Sequence, residues 1–267
     1  MLPSRYFIDL TQPEIAAQFR KNPLVILPAG SVEQHGPHLP TGTDIFAANA
    51  IGHAVAERMD GLVLPGGPLG VTPFHMPYEG TISLTPHTYM RLVCETCAST
   101  ASHGAKYLLI LNWHEGNIPS LAIAADALHR EHGMTVLTVQ ACYVAADLFG
   151  AECGGLTHGG EIEALAVLAH RPELVHLDRA EHSSEHQHAK KMDKLRRTRS
   201  FQPVLNNIRT IAPTGWYGDP RSATAARGQH MIVSIADAIA REATEIFRQL
   251  DDVRGGVAEI PRSQEAK

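Results

Sequence analysis

Residues of metal-ligand type follow the first apolar run of the chain, residues 24–27 (LVIL). Glu33, His35, His38 and Asp44 lie within twelve residues of one another in the Gly- and Pro-rich segment PAGSVEQHGPHLPTGTD. Carboxylates and imidazoles together are the ligands that Zn, Mn and Fe prefer in proteins. A polar surface loop is the competing interpretation, because loops rich in Gly and Pro often carry charge.

A second polar cluster follows a later apolar run, YLLIL at residues 107–111. Asn112, His114, Glu115 and Asn117 come directly after it. Two such clusters, each at the end of a predicted strand, favour a metal site over two unrelated surface loops.

A third cluster lies in the segment GGLTHGGEIEAL, at the start of a predicted helix. His158 and Glu161 are three residues apart, so on a helix they would share a face. The alternative is a helix start with acidic first-turn residues, Glu161 and Glu163, which favour the positive end of the helix dipole. Taken with the other clusters, the pattern predicts a carboxylate ligand beside a histidine that acts in acid–base chemistry.

The elements that must position these clusters are short strands alternating with helices. Four nearly continuous apolar runs predict strands at residues 24–27, 62–64, 107–111 and 135–139, and helical periodicity predicts helices at 45–59, 88–102, 119–132, 160–169 and 225–250. This alternation predicts an α/β layered sandwich with a mainly parallel central sheet flanked by helices. We expect one domain over residues 1–267, with its core at about 9–250 and a polar tail at 251–267. Sites in such folds lie at the carboxyl ends of the strands.

Composition excludes several classes of partner. The 267 residues carry 23 Lys and Arg against 28 Asp and Glu, a net charge of −5, so the basic surface that nucleic-acid binding needs is missing. No stretch approaches the roughly 20 apolar residues of a membrane span, and the first residues lack the apolar core of a signal peptide. Four cysteines do not form a disulfide framework in a chain of this length. We therefore expect a cytoplasmic protein with neither nucleic-acid nor membrane partners.

Five ordered motifs resemble the creatininase family of metal-dependent amidohydrolases. They are GSVEQHGPHLPTGTD, EGTISL, NWHEGN, HGGEIE and TGWYGDPRSATAARG, within residues 9–250. The resemblance implies a single α/β domain, a two-metal centre and hydrolysis of amide or related C–N bonds in small cyclic or formyl-bearing substrates. It also implies a homo-oligomer, hexamers included.

The resemblance carries specific roles onto this chain. It makes Glu33, His35, Asp44 and His114 metal ligands, with Asp44 bridging two ions, and we choose Glu161 as the remaining carboxylate ligand.

The chain departs from creatininase itself at the second cluster. In creatininase the corresponding motif resembles N-G-H-Y-E-N, with a glutamate ligand two positions after the histidine. This chain has Gly116 at that position. The departure indicates a different branch of the family and a substrate other than creatinine. Three roles remain open for Glu115: a metal ligand, a hydrogen-bond partner that orients His114, or a substrate contact. We rank the partner of His114 first and keep Glu115 as a candidate catalytic residue.

The expected reaction is hydrolysis of a cyclic amide, lactam or formamide of a small molecule. Two divalent ions, Zn as first choice with Mn or Fe as alternatives, would lower the pKa of a water and polarise the carbonyl, while His158 carries a proton to the leaving amine. One alternative is hydrolysis of a C–C or ester bond in a cyclic ketone or lactone of carbohydrate catabolism. Another is a catalytically silent metal-binding scaffold.

Further residues are candidates for substrate contact or assembly. Trp113, Trp216 and His75 are predicted to contact substrate, although Trp216 could instead contact a neighbouring subunit. Residues 178–199 are the most polar stretch, which predicts a solvated excursion or an oligomer contact. His182, His186 and His188 within it are expected to be solvated.

Overall fold

A parallel sheet of four strands forms the centre of the protein. The computed structural model describes residues 2–181, 185–196 and 203–256. The strands are β1 (Leu24–Ala29), β2 (Leu62–Val63), β3 (Tyr107–Asn112) and β4 (Thr135–Gln140), in the spatial order β2-β1-β3-β4. Ala29 pairs with Asn112, and Asn112 pairs with Gln140. The carboxyl ends of β1, β3 and β4 therefore lie level at one edge of the sheet.

Helices connect and cover the strands. Within the described residues they are α1 (Gln12–Lys21), α2 (Thr43–Met59), α3 (Pro86–Ala101), α4 (Ile118–His132), α5 (Ala141–Phe149), α6 (Glu161–Leu168), α7 (Glu185–Arg196) and α8 (Ala225–Gly256). The five predicted helices correspond to α2, α3, α4, α6 and α8. Helices α1, α5 and α7 were not predicted from the sequence. Helix α5 follows β4 with no intervening loop, so no turn residue marks its start.

Successive residues of each central strand face opposite layers of helices. Leu24 and Ile26 of β1 pack in a core formed with α2, α6 and α8, whereas Val25 and Leu27 pack in a core formed with α3 and α4. Both faces of the sheet are covered, which explains why its strands are nearly continuous apolar runs. The predicted α/β layered fold is confirmed.

Helix α2 begins directly against the end of β1. A Cβ on Gly30 would lie 2.5 Å from the backbone nitrogen of Ile45, so only glycine permits this approach. The close packing places Asp44, in the first turn of α2, beside the loop that follows β1.

The polar segment around α7 is partly buried. His186, Ala189 and Asp193 of α7 are buried, and Ala189 packs with Ile208 and Tyr217 in a small separate core. The prediction of a solvated segment is therefore wrong for His186. His186, Ala189 and Asp193 are three and four residues apart, so they share one buried face of α7, and the many polar residues around them conceal this periodicity in the sequence. His188 is exposed as predicted, and His182 lies outside the described residues. No helix in the described parts of the chain is long and apolar enough to cross a membrane.

Candidate metal centre

Buried carboxylates and imidazoles meet at the carboxyl edge of the sheet in three overlapping groups. In each group the potential ligand atoms lie within 4.8 Å of one another. The groups are Glu33, Asp44 and His114; His35, Asp44 and Glu163; and Glu33, His35 and His158. The loop after β1, the start of α2, the end of β3 and the start of α6 thus converge on one point, as the strand-end argument predicts.

His35 presents an unsatisfied nitrogen to this cluster. Its Nδ1 lies 3.0 Å from the carbonyl oxygen of Glu33, which assigns the proton to Nδ1 as a donor. Its Nε2 then faces Asp44 Oδ1 at 3.3 Å and Glu163 Oε2 at 3.6 Å, and it is buried without a hydrogen-bond partner among the described residues. A carbonyl that fixes the far nitrogen is the usual arrangement of a metal-binding histidine. His35 therefore fits a metal ion.

His114 is oriented in the same way. Its Nε2 donates to the carbonyl oxygen of Val71 at 3.0 Å, which leaves Nδ1 facing Asp44 Oδ2 at 3.0 Å and Glu33 Oε2 at 3.4 Å. Two imidazoles thus point their second nitrogens at the opposite oxygens of Asp44. This geometry fits the predicted bridging role of Asp44.

Burial and mutual charge shift the pKa of every group in the cluster. For His35, burial lowers the pKa, but the carboxylates of Glu163 and Asp44 outweigh it and raise the pKa to about 10. For Glu163, burial is the main cause that raises the pKa to about 8, and burial likewise raises that of Glu33. For Asp44, burial raises the pKa, but His35 and His114 outweigh it and hold the pKa well below its usual range. Three buried carboxyls in one cluster are stabilised by positive charge, which metal ions would supply.

Glu161, the predicted carboxylate ligand, does not join the cluster. Its Oε1 accepts from Ser222 and Arg227 on the far side of α6, whereas Glu163 faces His35. The reason is that His158 lies in a turn before α6, which begins only at Glu161. The helical spacing assumed between His158 and Glu161 therefore does not apply.

Gly116 has no room for the glutamate that the resemblance places there in creatininase. A Cβ at this position would lie 2.1 Å from the carbonyl oxygen of Val71 and 2.5 Å from His114 Nε2. Glu163 instead supplies a carboxylate from α6, a different element.

His158 lies at the edge of the cluster with one nitrogen available. Its Nε2 donates to the backbone carbonyl of Gln34 at 2.6 Å, so Nδ1, 3.7 Å from Glu33 Oε1, carries the lone pair. Its ring lies between those of His35 and His75, with centroids 4.3 and 4.2 Å away. Burial, with His75 and His35 adding to it, lowers the pKa of His158 well below its ordinary value. His158 is therefore neutral at pH 7 and can accept a proton.

Several residues that support the cluster were not predicted from the sequence. Ser31 Oγ donates to Asp44 Oδ2 at 2.7 Å, and Thr72 donates to Glu33 Oε2. Gln34 Nε2 lies 3.0 Å from His75 Nδ1 and 2.5 Å from the carbonyl of Gly215, tying three loops together. Ser31 and Gln34 lie inside the first motif and could have been suspected, but Thr72 is far along the chain and carried no signal.

His38 belongs to the first cluster in sequence but not in space. Its Nε2 donates to the carbonyl of Gly159 at 2.8 Å, and mainly burial lowers its pKa to about 4. It thus supports the turn that carries His158.

A cavity of about 1140 Å³ opens onto the cluster. Trp113, His75 and Glu115, three of the predicted substrate-contact or catalytic residues, lie on its wall. The indole Nε1 of Trp113 is buried without a hydrogen-bond partner among the described residues. Glu115 is not in the metal groups, and its Oε1 accepts from the hydroxyl of Tyr143 at 2.8 Å.

Trp216, also predicted to contact substrate, lies behind the cluster. Its ring packs against those of His38 and His186, with centroids 4.5 and 4.4 Å away, so it supports the site by packing. Its neighbour Tyr217 lies on the cavity wall instead. Among the described residues, no lysine or arginine lines the cavity.

The fold and the buried cluster together define a candidate metal-dependent hydrolase. Residues 8–243 match the creatininase family, described as creatinine amidohydrolase, and the chain belongs to this family. The mycofactocin precursor peptide peptidase of Mycobacterium ulcerans (strain Agy99) is 32% identical over 227 residues, which cover 80% of this chain and 82% of that protein. The creatinine amidohydrolase of Pseudomonas putida is 29% identical over 270 residues, covering 91% and 98%. A mutant creatininase of the Zn–Zn type superposes with a TM-score of 0.77 at 24% identity, covering 92% and 99%, and supports the fold.

Proposed function

We propose that this protein is a binuclear metal-dependent hydrolase of C–N amide bonds. Glu33, Asp44 and His114 would hold one ion, and His35, Asp44 and Glu163 would hold the other. The observation that carries the proposal is the buried, unpartnered Nε2 of His35, directed at two carboxylates. Zn is the first candidate for the metal, with Mn or Fe as alternatives for a mixed nitrogen and oxygen site.

The chain's own groups complete the chemistry of such a centre. Bound divalent ions would polarise the amide carbonyl and lower the pKa of water toward neutrality. His158, neutral at pH 7, would accept at Nδ1 the proton that the attacking water loses as its oxygen bonds to the carbonyl carbon. It would then deliver this proton to the amine nitrogen as the C–N bond breaks, because an amine is a poor leaving group unless protonated. The carbonyl of Gln34 holds the His158 ring in the required orientation.

The cavity supports an amide substrate with apolar flanks. Its volume of about 1140 Å³ is slightly above the roughly 300–1,000 Å³ of small-molecule sites, and its apolar and aromatic walls are formed by Phe74, Leu205, Ile208 and Tyr217. The names of the two relatives, a peptidase and an amidohydrolase, both describe C–N bond hydrolysis. A small-molecule amide or short peptide amide is therefore the proposed substrate class. We also propose that the protein is cytoplasmic and forms a homo-oligomer, with a hexamer as one candidate assembly. Sedimentation of the purified chain would test the oligomeric state.

The test combines metal analysis with an activity panel. Tag-free protein is analysed by mass spectrometry for metal per chain, and the loaded protein is assayed on amides, formamides, short peptides, lactones and cyclic ketones. Near two ions per chain with turnover of an amide supports the proposal. Turnover of only lactones or ketones would show that the protein hydrolyses a different class of bond. Protein that binds no ions after preparation with excess metal would contradict the proposed metal centre.

A further inference from the structure

We propose that the ion pair between Glu161 and Arg227 positions Glu163 for metal binding. The pair holds the first turn of α6 in the rotation that directs Glu163 at His35. This inference rests on the proposed function, because it takes Glu163 as a metal ligand. It assigns Glu161 a positioning role in place of the ligand role that its sequence position indicated.

Helix geometry relates the directions of the two glutamates of α6. Successive residues of an α-helix are 100° apart, so the side chains of residues 161 and 163 project about 200° apart, on nearly opposite sides of α6. Both glutamates are buried. Whatever holds one of them therefore sets the direction of the other.

Glu161 is held by two groups from a distant part of the chain. Its Oε1 accepts from Ser222 Oγ at 2.8 Å and from Arg227 Nη1, and the same Nη1 donates to the carbonyl oxygen of Ser222 at 2.8 Å. Arg227 belongs to α8, so the contact ties the start of α6 to the start of α8. Glu161 is buried, whereas the Arg227 side chain is 39% exposed. Loss of Arg227 would leave a buried carboxylate without its counter-charge, which is unfavourable, so this contact resists rotation of α6.

Close backbone contacts fix the position of α6 against the segments around residues 218 and 228. A Cβ on Gly218 would lie 2.8 Å from Gly160 Cα, and a Cβ on Gly228 would lie 2.2 Å from the carbonyl oxygen of Leu165. On the cluster side, Glu163 Oε2 accepts from the backbone nitrogen of Gly159 at 2.6 Å. The glycine contacts bring the segments together, and the ion pair supplies the directional contact on the opposite side of the helix.

The pair also keeps a second carboxylate out of the metal cluster. Arg227 compensates the charge of Glu161, so two neighbouring glutamates in one short segment do not compete for the same ion. Loss of the Glu161–Arg227 pair should therefore weaken metal binding only at the His35–Asp44–Glu163 group. The Glu33–Asp44–His114 group takes no ligand from α6.

The experiment measures Zn²⁺ binding to the metal-free full-length chain by titration calorimetry, with Zn²⁺ as the only ligand, and counts bound ions after gel filtration. The variants are Arg227→Gln, Glu161→Gln and the conservative Arg227→Lys. Arg248→Gln is the matched control, since Arg248 lies on the same helix in an exposed ion pair with Glu245. We expect one ion to bind as in wild type and the other to weaken about 10- to 100-fold in Arg227→Gln, in line with losses seen when ligand-supporting residues are removed. Arg227→Lys should recover part of this loss.

The outcomes separate this inference from the proposed function. If wild type binds two ions and Glu163→Gln loses one, but Arg227→Gln and Glu161→Gln bind both with unchanged affinity, the inference is overturned. Equal weakening of both ions, with a lowered thermal midpoint, would also overturn it by indicating a general structural role. Should Arg227→Gln not fold, Glu161→Gln, which keeps the side-chain shape, decides by the same criteria. Fewer than two ions on wild type would contradict the proposed function itself.

Discussion

Asp44 lies between two imidazoles, with Oδ1 3.3 Å from His35 Nε2 and Oδ2 3.0 Å from His114 Nδ1. It is the only residue shared by the two proposed ion-binding groups, His35–Asp44–Glu163 and Glu33–Asp44–His114. Each imidazole is fixed from its other nitrogen by a backbone carbonyl, so the directions of both are set before any metal binds.

Asp44→Asn is expected to lose both ions. The amide keeps the size of the side chain but cannot place an anionic oxygen on each of two cations. Mass spectrometry of metal-loaded protein should find well under one ion per chain, against about two in wild type. An Asp44→Asn protein that retains both ions would contradict the bridging role.

His158→Gln is expected to keep both ions and lose activity by about 100-fold or more, the usual contribution of a positioned acid–base group. The side chain lies beside the proposed centre without belonging to either ion-binding group assigned above. The measurement is kcat on the best amide of the panel together with metal content. Full activity with both ions retained would contradict the proton-transfer role of His158. Loss of an ion would instead indicate that His158 is a metal ligand.

Metal binding is expected to release protons and to weaken as the pH falls. Without metal, His35, His114 and Glu163, with pKa values of about 10, 9 and 8, hold protons at pH 7.5 that bound ions must displace. Calorimetric titrations of Zn²⁺ in two buffers of different ionisation enthalpy give the number released, expected to be roughly two to three. A buffer-independent enthalpy would contradict this prediction.

The metal-free protein should lose stability between about pH 6.5 and pH 10. The folded-state pKa values of His35, His114 and Glu163 all lie above their unfolded values, so the folded chain binds more protons in this range. Stability supplied by raised pKa values is present at low pH and lost as the pH rises through them. Thermal midpoints in a chelator should therefore fall from pH 7 to pH 10, and a rise would show that the cluster is not charged as described.

Gly116→Ala is expected to destabilise the protein by about 1–3 kcal/mol, the usual range for overpacking. The new Cβ would press on the carbonyl of Val71 and on His114, neither of which is a free side-chain end. Gly61→Ala is the comparison, since its Cβ would meet only side-chain atoms of Leu24 and Ile26, the nearest at 3.1 Å. Denaturant unfolding of both variants tests the difference, and an equal effect would contradict the steric argument.

Glu115→Gln is expected to keep both ions, because Glu115 lies outside the metal groups and contacts Tyr143 on the cavity wall. Its effect should appear in KM rather than in metal content. Loss of an ion would reinstate the ligand role that the sequence left open for this residue.

Much of the site was predictable from the sequence because parallel strands end at one edge. Glu33, His35 and His114 follow apolar runs of strand length, and Asp44 lies in the first turn of the helix after the first of them. Their convergence follows from strand alternation and needs no detailed packing.

The tertiary structure alone decided the choice between Glu161 and Glu163 and the positions of Trp216 and His186. Residues 161 and 163 have the same chemistry, and which one faces the cluster depends on where α6 begins and on the contact of Glu161 with Arg227, 66 positions away in the chain. Trp216 lies behind the site because His38 and His186, which both precede it and are far from each other in the chain, pack on its ring. Local patterns determine which residues end a strand or line a helix, but the rotation of a helix about its axis is set by contacts between segments far apart in the chain, and those contacts leave no periodic signal in the sequence.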